Sequence, residues 1–468
     1  MPVADLSPEL ALLIGAVVIV MGAVFMPRSR QVWLAGIALF TLAVSLSAVL
    51  VQWPVSASLT FSDVWILDAP ASIAKLIILI SGGLAVMMSP DWMRSDPRHG
   101  EYYALCLFAL LGAMVMAAAG DIMELLLGVL LSSAASYPLV AYHRGFAPAL
   151  EAGMKYFIIG ALTNALLCVG VVMLFGLVGD TGYRVVSSSL AQSDRLALSV
   201  AMGCILLGLA FKLAAFPAHA WMPDVAQAAP VPVAAMLSVA PKVGAALALA
   251  RLVALLPSDQ GLTGLVAMVS AITMTLGNLA ALRQTNVRRL LGWSSVSQSG
   301  YALMAIAVIE QGGRAVAALL VFLFAYALAN LTAFAVVTHL RGRTELNDYR
   351  GMGRAQPFAA AVLIVAMLSL VGIPPLVGFF GKFLLLEVAL EADYAWLAVI
   401  AVLNTLVSLY YYLRVAAVMT FQRPTGNVFV LGNASRIALL LAAMLLVASS
   451  LGVEALLNLA SIPLADWQ

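Results

Sequence analysis

Fourteen long apolar segments are the feature of this sequence that most restricts its fold. Each has about 20 or more residues with few charges, which is the length of an α-helix that crosses the hydrocarbon core of a bilayer. The segments do not alternate polar and apolar residues, as the strands of a membrane β-barrel do. Helices also satisfy their backbone polar groups within one segment, which lipid requires. The sequence therefore predicts an all-α integral membrane protein with about 14 transmembrane helices.

The composition agrees with a membrane protein, because 63% of the residues are hydrophobic and only 10% are charged. A soluble domain needs about 25% charged residues to cover its surface. The predicted loops are short and no linker divides the chain, so we expect a single polytopic membrane domain over residues 1–468. The predicted spans lie near residues 8–26, 31–52, 69–89, 101–119, 121–142, 151–178, 195–228, 229–256, 261–282, 287–309, 313–338, 356–391, 393–421 and 435–458.

Proline interrupts two of the predicted spans. The seventh contains Pro217 and Pro223 in FKLAAFPAHAWMP, and the twelfth contains Pro374 and Pro375 in GIPPLVGFFGKF. The broken helices 7 and 12 are five spans apart, and an odd spacing makes equivalent helices run in opposite directions. Interrupted spans at matching positions of two halves indicate the ion site of a transporter with inverted repeats. We therefore predict three N-terminal helices (1–100), two inverted five-helix repeats, spans 4–8 (101–256) and spans 9–13 (261–421), and a C-terminal helix (422–468).

The arginines favour one orientation in the membrane. Fourteen of them lie in loops that follow odd-numbered spans, and only four lie in loops that follow even-numbered spans. Because cytoplasmic loops carry the excess of basic residues, we predict that both termini lie on the periplasmic side of a bacterial inner membrane. The fourteen are Arg28, Arg30, Arg94, Arg98, Arg144, Arg283, Arg288, Arg289, Arg341, Arg343, Arg350, Arg354, Arg423 and Arg436.

The sequence disfavours several classes of function. The formal net charge is +2 without a basic block, so nothing indicates a nucleic acid partner. Cys106, Cys168 and Cys204 lie far apart in apolar segments, which disfavours a disulfide, a metal site or an iron–sulfur cluster. We therefore expect no cofactor and no metal in this chain. The first apolar segment lacks a basic leader and a cleavage site, so we expect it to be a retained helix.

All five lysines lie within apolar spans or at their edges, whereas the arginines lie mostly in loops. Arginine stays charged, but a buried lysine can lose its proton. An ionisable residue within a membrane is costly and indicates a functional site. Lys212, Lys242 and Lys382 lie deepest, and two of them lie beside the proline breaks. We predict that these three residues transfer protons.

For the other lysines and for the breaks, a structural role is an open alternative. Lys75 and Lys155 lie near the ends of their spans, where a lysine can extend its ammonium group to the interface. We keep Lys155 as a candidate for the proton path. A proline frees a backbone carbonyl, and lipid tolerates this only where the backbone lines water or packs in protein. We predict hydrated gaps beside Lys212 and Lys382, with a plain kink as the alternative.

Three further residues are candidates for the proton path. Glu124 lies near the start of span 5, Glu387 follows Lys382 in span 12, and His219 lies between the two prolines of span 7. A carboxylate beside a lysine holds it charged, and its movement would release the proton. A neutral histidine can relay protons. The alternatives are an interfacial position for Glu124 and a packing role for His219.

Four stretches resemble one family: EAGMKYFIIGA (151–161), FKLAAFPAHAWMPDVAQAAPVPVAAMLSVAPKVGA (211–245), GNLAALRQTNVRRLLGWSSVSQSGY (277–301) and GIPPLVGFFGKFLLL (372–386). They look like the antiporter-like membrane subunits of the proton-translocating NADH–quinone oxidoreductase, respiratory complex I, and within that family like subunit N. The likeness is clearest from about residue 100 to 420. The chain length suits the N type, because it leaves no room for the extra lateral helix of the L type.

The resemblance implies two inverted five-helix repeats and one proton channel, driven by quinone reduction elsewhere in the complex. By resemblance, Lys212 is the central lysine of broken helix 7, Lys242 is the lysine of helix 8, and Lys382 is the lysine of broken helix 12. The implied partners are other membrane subunits of complex I, with neighbours of the K and M types, in a lipid bilayer. Flavin, iron–sulfur clusters and quinone are expected in partner subunits, and this chain alone should oxidise no NADH.

The sequence departs from the family pattern in helix 5. The family has LGLELLS there, and its glutamate pairs with the lysine of helix 7, whereas this chain has LGVLLSS (127–133) with Leu130 at the place of the glutamate. Glu124 lies six residues earlier, about 9 Å along a helix, which is too far to replace that glutamate without rearrangement. The ion-pair switch of the first half is therefore an open question. Higher proton pumping by Leu130→Glu, together with loss of pumping in Lys382→Ala, would indicate an active channel with a weakened switch, whereas no effect of either change would argue against the lysine route.

Two other functions fit part of this pattern. A cation/proton antiporter subunit of the Mrp type, or a membrane hydrogenase subunit, would share the fold. The chain length and the stretches RQTNVRRLLGWSS and FPAHAWMPDV favour subunit N. A stand-alone solute transporter would need a substrate pocket, whereas this chain offers single, spaced lysines suited to protons.

Overall fold

The computed structural model describes residues 3–53, 56–94, 96, 99–189, 194–256, 262–423, 432–452 and 454. These residues fold mostly into α-helices, as the apolar segments predict. In chain order, the helices are α1 (Ser7–Phe25), α2 (Leu34–Val51), α3 (Ala69–Trp92), α4 (His99–Ala118), α5 (Ile122–Val140), α6 (Ala147–Val178), α7 (Tyr183–Ser189), α8 (Arg195–Leu213), α9 (Trp221–Ala228), α10 (Val231–Leu237), α11 (Ala240–Ala254), α12 (Leu262–Leu282), α13 (Val287–Ala307), α14 (Gly313–His339), α15 (Met352–Ala355), α16 (Pro357–Val371), α17 (Val377–Glu391), α18 (Ala395–Phe421) and α19 (Asn433–Leu451).

Within these described residues, 12 helices are long and apolar enough to cross a membrane, counting α10 and α11 together as Val231–Ala254. Two of the fourteen predicted spans are outside this group. Span 10 is α13, whose sequence contains two arginines and a run of serines. Span 12 is divided into α16 and α17, and each half has only 15 residues. An all-α membrane protein is confirmed, and fourteen crossings stay a prediction.

A short β-hairpin departs from the all-α prediction. β1 (Ser58–Thr60) pairs antiparallel with β2 (Trp65–Leu67) between α2 and α3, with Leu59 opposite Ile66. Two strands of three residues are too short for the alternation of polar and apolar residues to reveal them. In this respect the prediction of an all-α chain was incomplete.

Contacts between loops divide the helix ends into two groups. At one end, the bridges Trp65–Ala119 and Asp121–Gly182 join the segments that follow the second, fourth and sixth predicted spans. At the other end, a bridge from Asn286 joins the segment after the ninth span to the segment after the eleventh. We call these the even-loop end and the odd-loop end. The grouping is what alternating crossings of a membrane require.

The centre of the bundle is formed by α10, α11 and α14. The most apolar part of Val231–Ala254 is 100% buried and that of Gly313–His339 is 94% buried, against 28% for α19 at the periphery. Helices in lipid associate through close packing at small residues. Gly244 is such a residue, because a Cβ there would lie 2.4 Å from the carbonyl oxygen of Ala113 on α4. Lys242 therefore lies on one of the most enclosed helices of the molecule.

Both predicted interruptions occur. Leu213 ends α8 and Trp221 begins α9, and the segment between them contains a cis bond before Pro217. In the same way, α16 ends at Val371 and α17 begins at Val377, and the peptide bond between Pro374 and Pro375 in the intervening segment is cis. Each interruption places a helix end next to a predicted functional lysine.

Two details of the interruptions differ from the prediction. Pro223 was predicted to break a helix but lies in the first turn of α9, where a proline is tolerated because its missing N–H would have no intrahelical partner. A further interruption at Ser238 and Val239 separates α10 from α11. Pro241, in the first turn of α11, accounts for it, because a proline ring clashes with the carbonyl four residues earlier.

Candidate functional site

Lys212 lies in the last turn of α8, directly before the interruption between α8 and α9, which we call the first break. It is only 1% exposed. Its Nζ donates a long hydrogen bond of 3.4 Å to Ser132 Oγ on α5 and lies 5.6 Å from the ring centre of Phe211. The indole of Trp221 donates to the carbonyl of Phe211 at 3.0 Å, which fixes α9 against the end of α8. In the described part of the chain no ion pair to Lys212 occurs. This ammonium group is therefore held by uncharged neighbours.

The face of α5 that meets Lys212 is polar but uncharged. Ser132 and Ser133 are buried, and Asn164 on α6 donates to Ser133 Oγ at 3.2 Å and to the hydroxyl of Tyr137 at 3.3 Å. Leu130 lies on another face of α5 and is 36% exposed. The position at which the sequence predicted a missing carboxylate therefore does not face Lys212.

Lys242 lies at the start of α11, after the interruption at Ser238, and is 2% exposed. Its Nζ donates to the carbonyl oxygen and the hydroxyl of Ser295, both at 2.6 Å, and to Ser299 Oγ at 2.8 Å. These acceptors, one turn apart on α13, surround the ammonium group. Three good hydrogen bonds offset much of the cost of burying a charge.

Hydrogen bonds extend from Lys242 in both directions. Ser299 Oγ donates to the carbonyl of Leu213, which the first break leaves without a helical partner next to Lys212. Ser295 Oγ shares a hydrogen bond of 2.7 Å with the hydroxyl of Tyr326, which donates to the carbonyl of Ser238 at 2.8 Å. The network continues at 2.7 Å from Asn330 Nδ2 to Ser238 Oγ. It thus joins the break beside Lys212 to the break before Lys242.

Lys382 lies on α17, just after the interruption between α16 and α17, which we call the second break. It is 7% exposed. Its Nζ donates to the carbonyl of Val371 at 3.0 Å, which is the last residue of α16, and lies 4.3 Å from the ring centre of Tyr301. Gln298 on α13 donates to the carbonyl of Leu370 at 3.0 Å. Both carbonyls belong to the end of α16 that the break creates. The break therefore supplies the hydrogen-bond acceptors for Lys382 and for Gln298 of α13.

A polar run on α13 bonds to Lys242 and reaches the helix ends beside Lys212 and Lys382, and the sequence analysis did not assign it. The residues are Ser295, Ser299, Gln298 and Tyr301, within WSSVSQSGY. The signal was present, because four serines and a glutamine within an apolar span need partners inside the protein. What the sequence could not tell is which of these side chains face Lys242 and which face Lys382.

Lys155 belongs to a separate charged group at the odd-loop end. Its Nζ lies 2.7 Å from Glu151 and 3.0 Å from Asp224, and Asp224 also pairs with Arg289 at 2.5 Å. The group lines a cavity of ≈ 280 Å³ beside α9. Lys155 is thus placed at a polar opening next to the second half of broken helix 7.

The other three candidates do not take part in the hydrogen bonds described for Lys212, Lys242 and Lys382. His219 is half-buried in the first break, with its ring centre 5.8 Å from that of Trp293. Glu387 is exposed on α17. Glu124 lies in the first turn of α5, at the even-loop end, where its backbone N–H donates to Asp121 Oδ1 at 3.2 Å. Within the described residues, no group of three or more His, Cys, Asp or Glu is suited to a metal ion.

Comparisons with known proteins agree with this architecture. Residues 119–408 match the family described as NADH:quinone oxidoreductase/Mrp antiporter, TM. The chain is 40% identical over 415 residues to NADH-quinone oxidoreductase subunit N of Mycobacterium sp. (strain JLS), which covers 88% of both chains.

Solved structures give the same result at the level of the fold. A chain of respiratory complex I from Thermus thermophilus with bound aureothin matches with a TM-score of 0.84 and 30% identity, over 97% of this chain and 100% of that chain. A chain of the Mrp complex from Dietzia sp. DQ12-45-1b matches with a TM-score of 0.88 but only 20% identity, over 98% and 97% of the two chains. The second match shows a shared fold alone.

Proposed function

The chain belongs to the family of NADH-quinone oxidoreductase N subunits, and we propose that it moves protons across the membrane along a line of buried lysines, Lys212, Lys242 and Lys382. Its relatives are subunits of NADH-quinone oxidoreductase, so the energy for this transport would come from quinone reduction elsewhere in the complex. Flavin, iron–sulfur clusters and quinone would be held by partner subunits, with neighbours of the K and M types. Two inverted repeats of five helices, spans 4–8 and 9–13, would form the two halves of the path.

The observation that carries the proposal is the hydrogen-bonded connection around Lys242. Its three acceptors lie on α13, and one of them, Ser299, reaches the carbonyl of Leu213 beside Lys212. A proton can pass along hydroxyl groups that both donate and accept hydrogen bonds. A lysine suits the task, because unlike arginine it can release its proton when buried. Water in the two breaks would complete the line to Lys382.

The arginine distribution supports an orientation. The odd-loop end carries most of the arginines, so we place it in the cytoplasm and both termini in the periplasm of a bacterium. The cavity lined by Lys155 and Asp224 is then the cytoplasmic mouth of the path. Glu387, exposed on the far half of broken helix 12, and His219, in the first break, are candidates for proton exchange with water at the ends of the line.

A second candidate function is that of an Mrp-type cation/proton antiporter subunit or a membrane hydrogenase subunit. The observation in its favour is the fold shared with the Mrp complex at a TM-score of 0.88. The 40% identity to a subunit N over 88% of the chain favours the first function.

The test is proton pumping by the whole NADH-quinone oxidoreductase in proteoliposomes, measured as protons moved per NADH oxidised. We compare wild type with Lys382→Ala and Lys382→Arg, and use Phe383→Leu, at an exposed neighbour on α17, as the control. Both lysine variants should lose this subunit's share of the protons, including Lys382→Arg, because arginine keeps the charge but does not release the proton. Phe383→Leu should pump like wild type.

A result in which Lys382→Ala and Lys382→Arg keep the wild-type ratio of protons to NADH would reject the lysine line. Pumping that persists in Lys382→Arg but not in Lys382→Ala would mean that Lys382 supplies a fixed charge and carries no proton. Pumping that depends on sodium ions in the external buffer would favour the antiporter function.

A further inference from the structure

An open groove with a volume of ≈ 910 Å³ runs along one side of α12. It is lined by residues of α12 between Ala271 and Leu282 and, just beyond the end of the helix, by Arg283 and Gln284. Most of the lining residues are apolar, and Leu279 among them is exposed. The groove therefore has a long apolar wall with a cationic side chain at one end. None of the three lysines of the proposed proton path lines it.

The length of the groove matches one leaflet of a bilayer. Leu282 lies at the odd-loop end, because the segment that follows it contains Asn286, which forms the bridge at that end. At 1.5 Å per residue, the helix rises by about 16 Å from Ala271 to Leu282. The hydrocarbon core of a bilayer is about 30 Å thick, so half of it is about 15 Å. The groove thus accommodates a chain from one leaflet, whereas a transmembrane helix of a partner would cover both leaflets.

The apolar part of the groove suits a hydrocarbon chain. Thr275 is the polar residue among its lining residues on α12. Its hydroxyl donates to the carbonyl of Ala271 at 2.8 Å and accepts from Asn404 Nδ2 of α18 at 3.1 Å. Because this hydroxyl is already used within the protein, the wall of the groove does not attract a polar ligand.

Two arginines lie at the odd-loop end of the groove. Arg283 lines the groove and is exposed. Arg414 of α18 donates to the carbonyl of Leu282 at 3.3 Å, which places a second guanidinium group at the same end. Within the described ranges of the chain, neither arginine forms an ion pair with a carboxylate. A guanidinium group binds phosphate oxygens through paired hydrogen bonds, so this end suits a phosphate group.

The carboxylates of the loop that meets this end have partners of their own. Glu345 Oε1 accepts from Asn286 Nδ2 at 3.0 Å. Asp348 Oδ2 accepts from the backbone N–H groups of Thr344 at 3.1 Å and of Glu345 at 2.9 Å. These carboxylates therefore stabilise the loop, and the two arginines remain available to an anion from outside the chain.

We propose that this groove binds one anionic phospholipid, with an acyl chain along α12 and its phosphate group at Arg283 and Arg414. Basic pockets beside transmembrane helices on the cytoplasmic side of a membrane bind anionic lipid headgroups. The excess of arginines at the odd-loop end agrees with a cytoplasmic position. The site lies outside the lysine line and does not depend on it.

The test is photocrosslinking in the whole complex, with a diazirine amino acid in place of Leu279. The complex is reconstituted in proteoliposomes of phosphatidylethanolamine and phosphatidylglycerol in known proportion, and the mass of this chain is measured after irradiation. Phosphatidylglycerol adducts should exceed the share of this lipid in the membrane. Arg283→Gln in the same chain should lower the excess about fivefold, which is the effect of one basic residue near an anionic surface.

Two controls are matched to this design. Arg144→Gln removes an exposed arginine from the loop after the fifth span, at the same end of the bundle but outside the groove, and should leave the excess unchanged. The diazirine amino acid in place of Leu265, which is exposed in the first turn of α12 beyond the groove, should give adducts in proportion to the membrane lipids.

Adducts at position 279 that follow the membrane composition, or an excess that Arg283→Gln does not change, would overturn the proposal. A crosslink from position 279 to another subunit would also overturn it, because the groove would then be a contact between subunits. NADH oxidation by each complex confirms that it is assembled. The adducts do not depend on pumping, so failure of this site and failure of the lysine line give different results.

Discussion

The structure makes a sharp prediction about the uncharged partner of Lys212. Ser132 Oγ lies 3.4 Å from the ammonium group, whereas Leu130 lies on an exposed face of the same helix. Two residues along an α-helix correspond to a rotation of about 200°. A carboxylate placed at position 132 therefore meets Lys212, and a carboxylate placed at position 130 does not. By resemblance, Leu130 stands at the place of the family's helix-5 glutamate, but in this geometry that position does not face Lys212.

The perturbation is Ser132→Asp, and its size follows from the distance. Two unit charges about 4 Å apart interact by about 4 kcal/mol at the effective dielectric constant of protein sites. Because about 1.4 kcal/mol is a factor of ten, this corresponds to roughly a thousandfold preference for the charged lysine. Burying the new carboxylate costs part of this gain, so the figure is an upper bound. A Lys212 that holds its proton so firmly should transfer it more slowly.

The assay is the rate of NADH oxidation coupled to proton uptake in proteoliposomes that contain the whole complex. We expect Ser132→Asp to lower this rate strongly, and Ser132→Asn, which has the same size without the charge, to stay close to the wild type. Leu130→Glu should leave the rate unchanged. An effect of Leu130→Glu without an effect of Ser132→Asp would refute the geometry, and a faster rate in Ser132→Asp would refute the argument from the ion pair.

Two further predictions concern stability and packing. Arg251→Met leaves the buried Asp68 without its cation and should lower the free energy of unfolding by about 3–5 kcal/mol. Arg314→Met removes an exposed ion pair with Glu391 and should lower the free energy of unfolding by less than about 1 kcal/mol. Thermal unfolding of the purified complex measures both, and equal losses would contradict the prediction. Gly378→Ala should prevent assembly of the complex, because the new Cβ would lie 1.8 Å from the carbonyl oxygen of Ser369 on α16. Gly83→Ala has open space around its Cβ and should assemble normally, and a native gel compares the two variants.

Much of the architecture could be predicted from the sequence because it depends on local properties. The length of an apolar run determines whether a helix can cross the membrane, and a proline in a helix interior removes a backbone hydrogen bond and so favours a break or a kink. The predicted break near Pro217 and the one at Pro374 and Pro375 therefore occur within the predicted spans. The high cost of a buried charge also made the lysines visible, and Lys212 and Lys242 are both at most 2% exposed.

The partners of the lysines could not be predicted, because they come from helices that are distant in sequence. Ser295 is 53 residues from Lys242, and Ser132 is 80 residues from Lys212. Which face of a helix meets its neighbour depends on the packing of the whole bundle, and apolar residues lie on every face of a membrane helix such as α5, so its sequence pattern does not reveal that face. For this reason the sequence pointed to Leu130, which is on the wrong face of α5.

The polarity that makes α13 unlike the other spans is also what suits it to the centre of the site. A serine or glutamine in lipid would leave hydrogen-bonding groups unsatisfied, so such a helix is stable only where the protein supplies partners. Here Ser299 uses the carbonyl freed at the first break and Gln298 uses a carbonyl at the second. Adjacent residues of one helix thus bond to both broken helices. The two breaks need α13 to satisfy their carbonyls, and α13 needs the two breaks to satisfy its side chains, so neither feature would be stable in the membrane without the other.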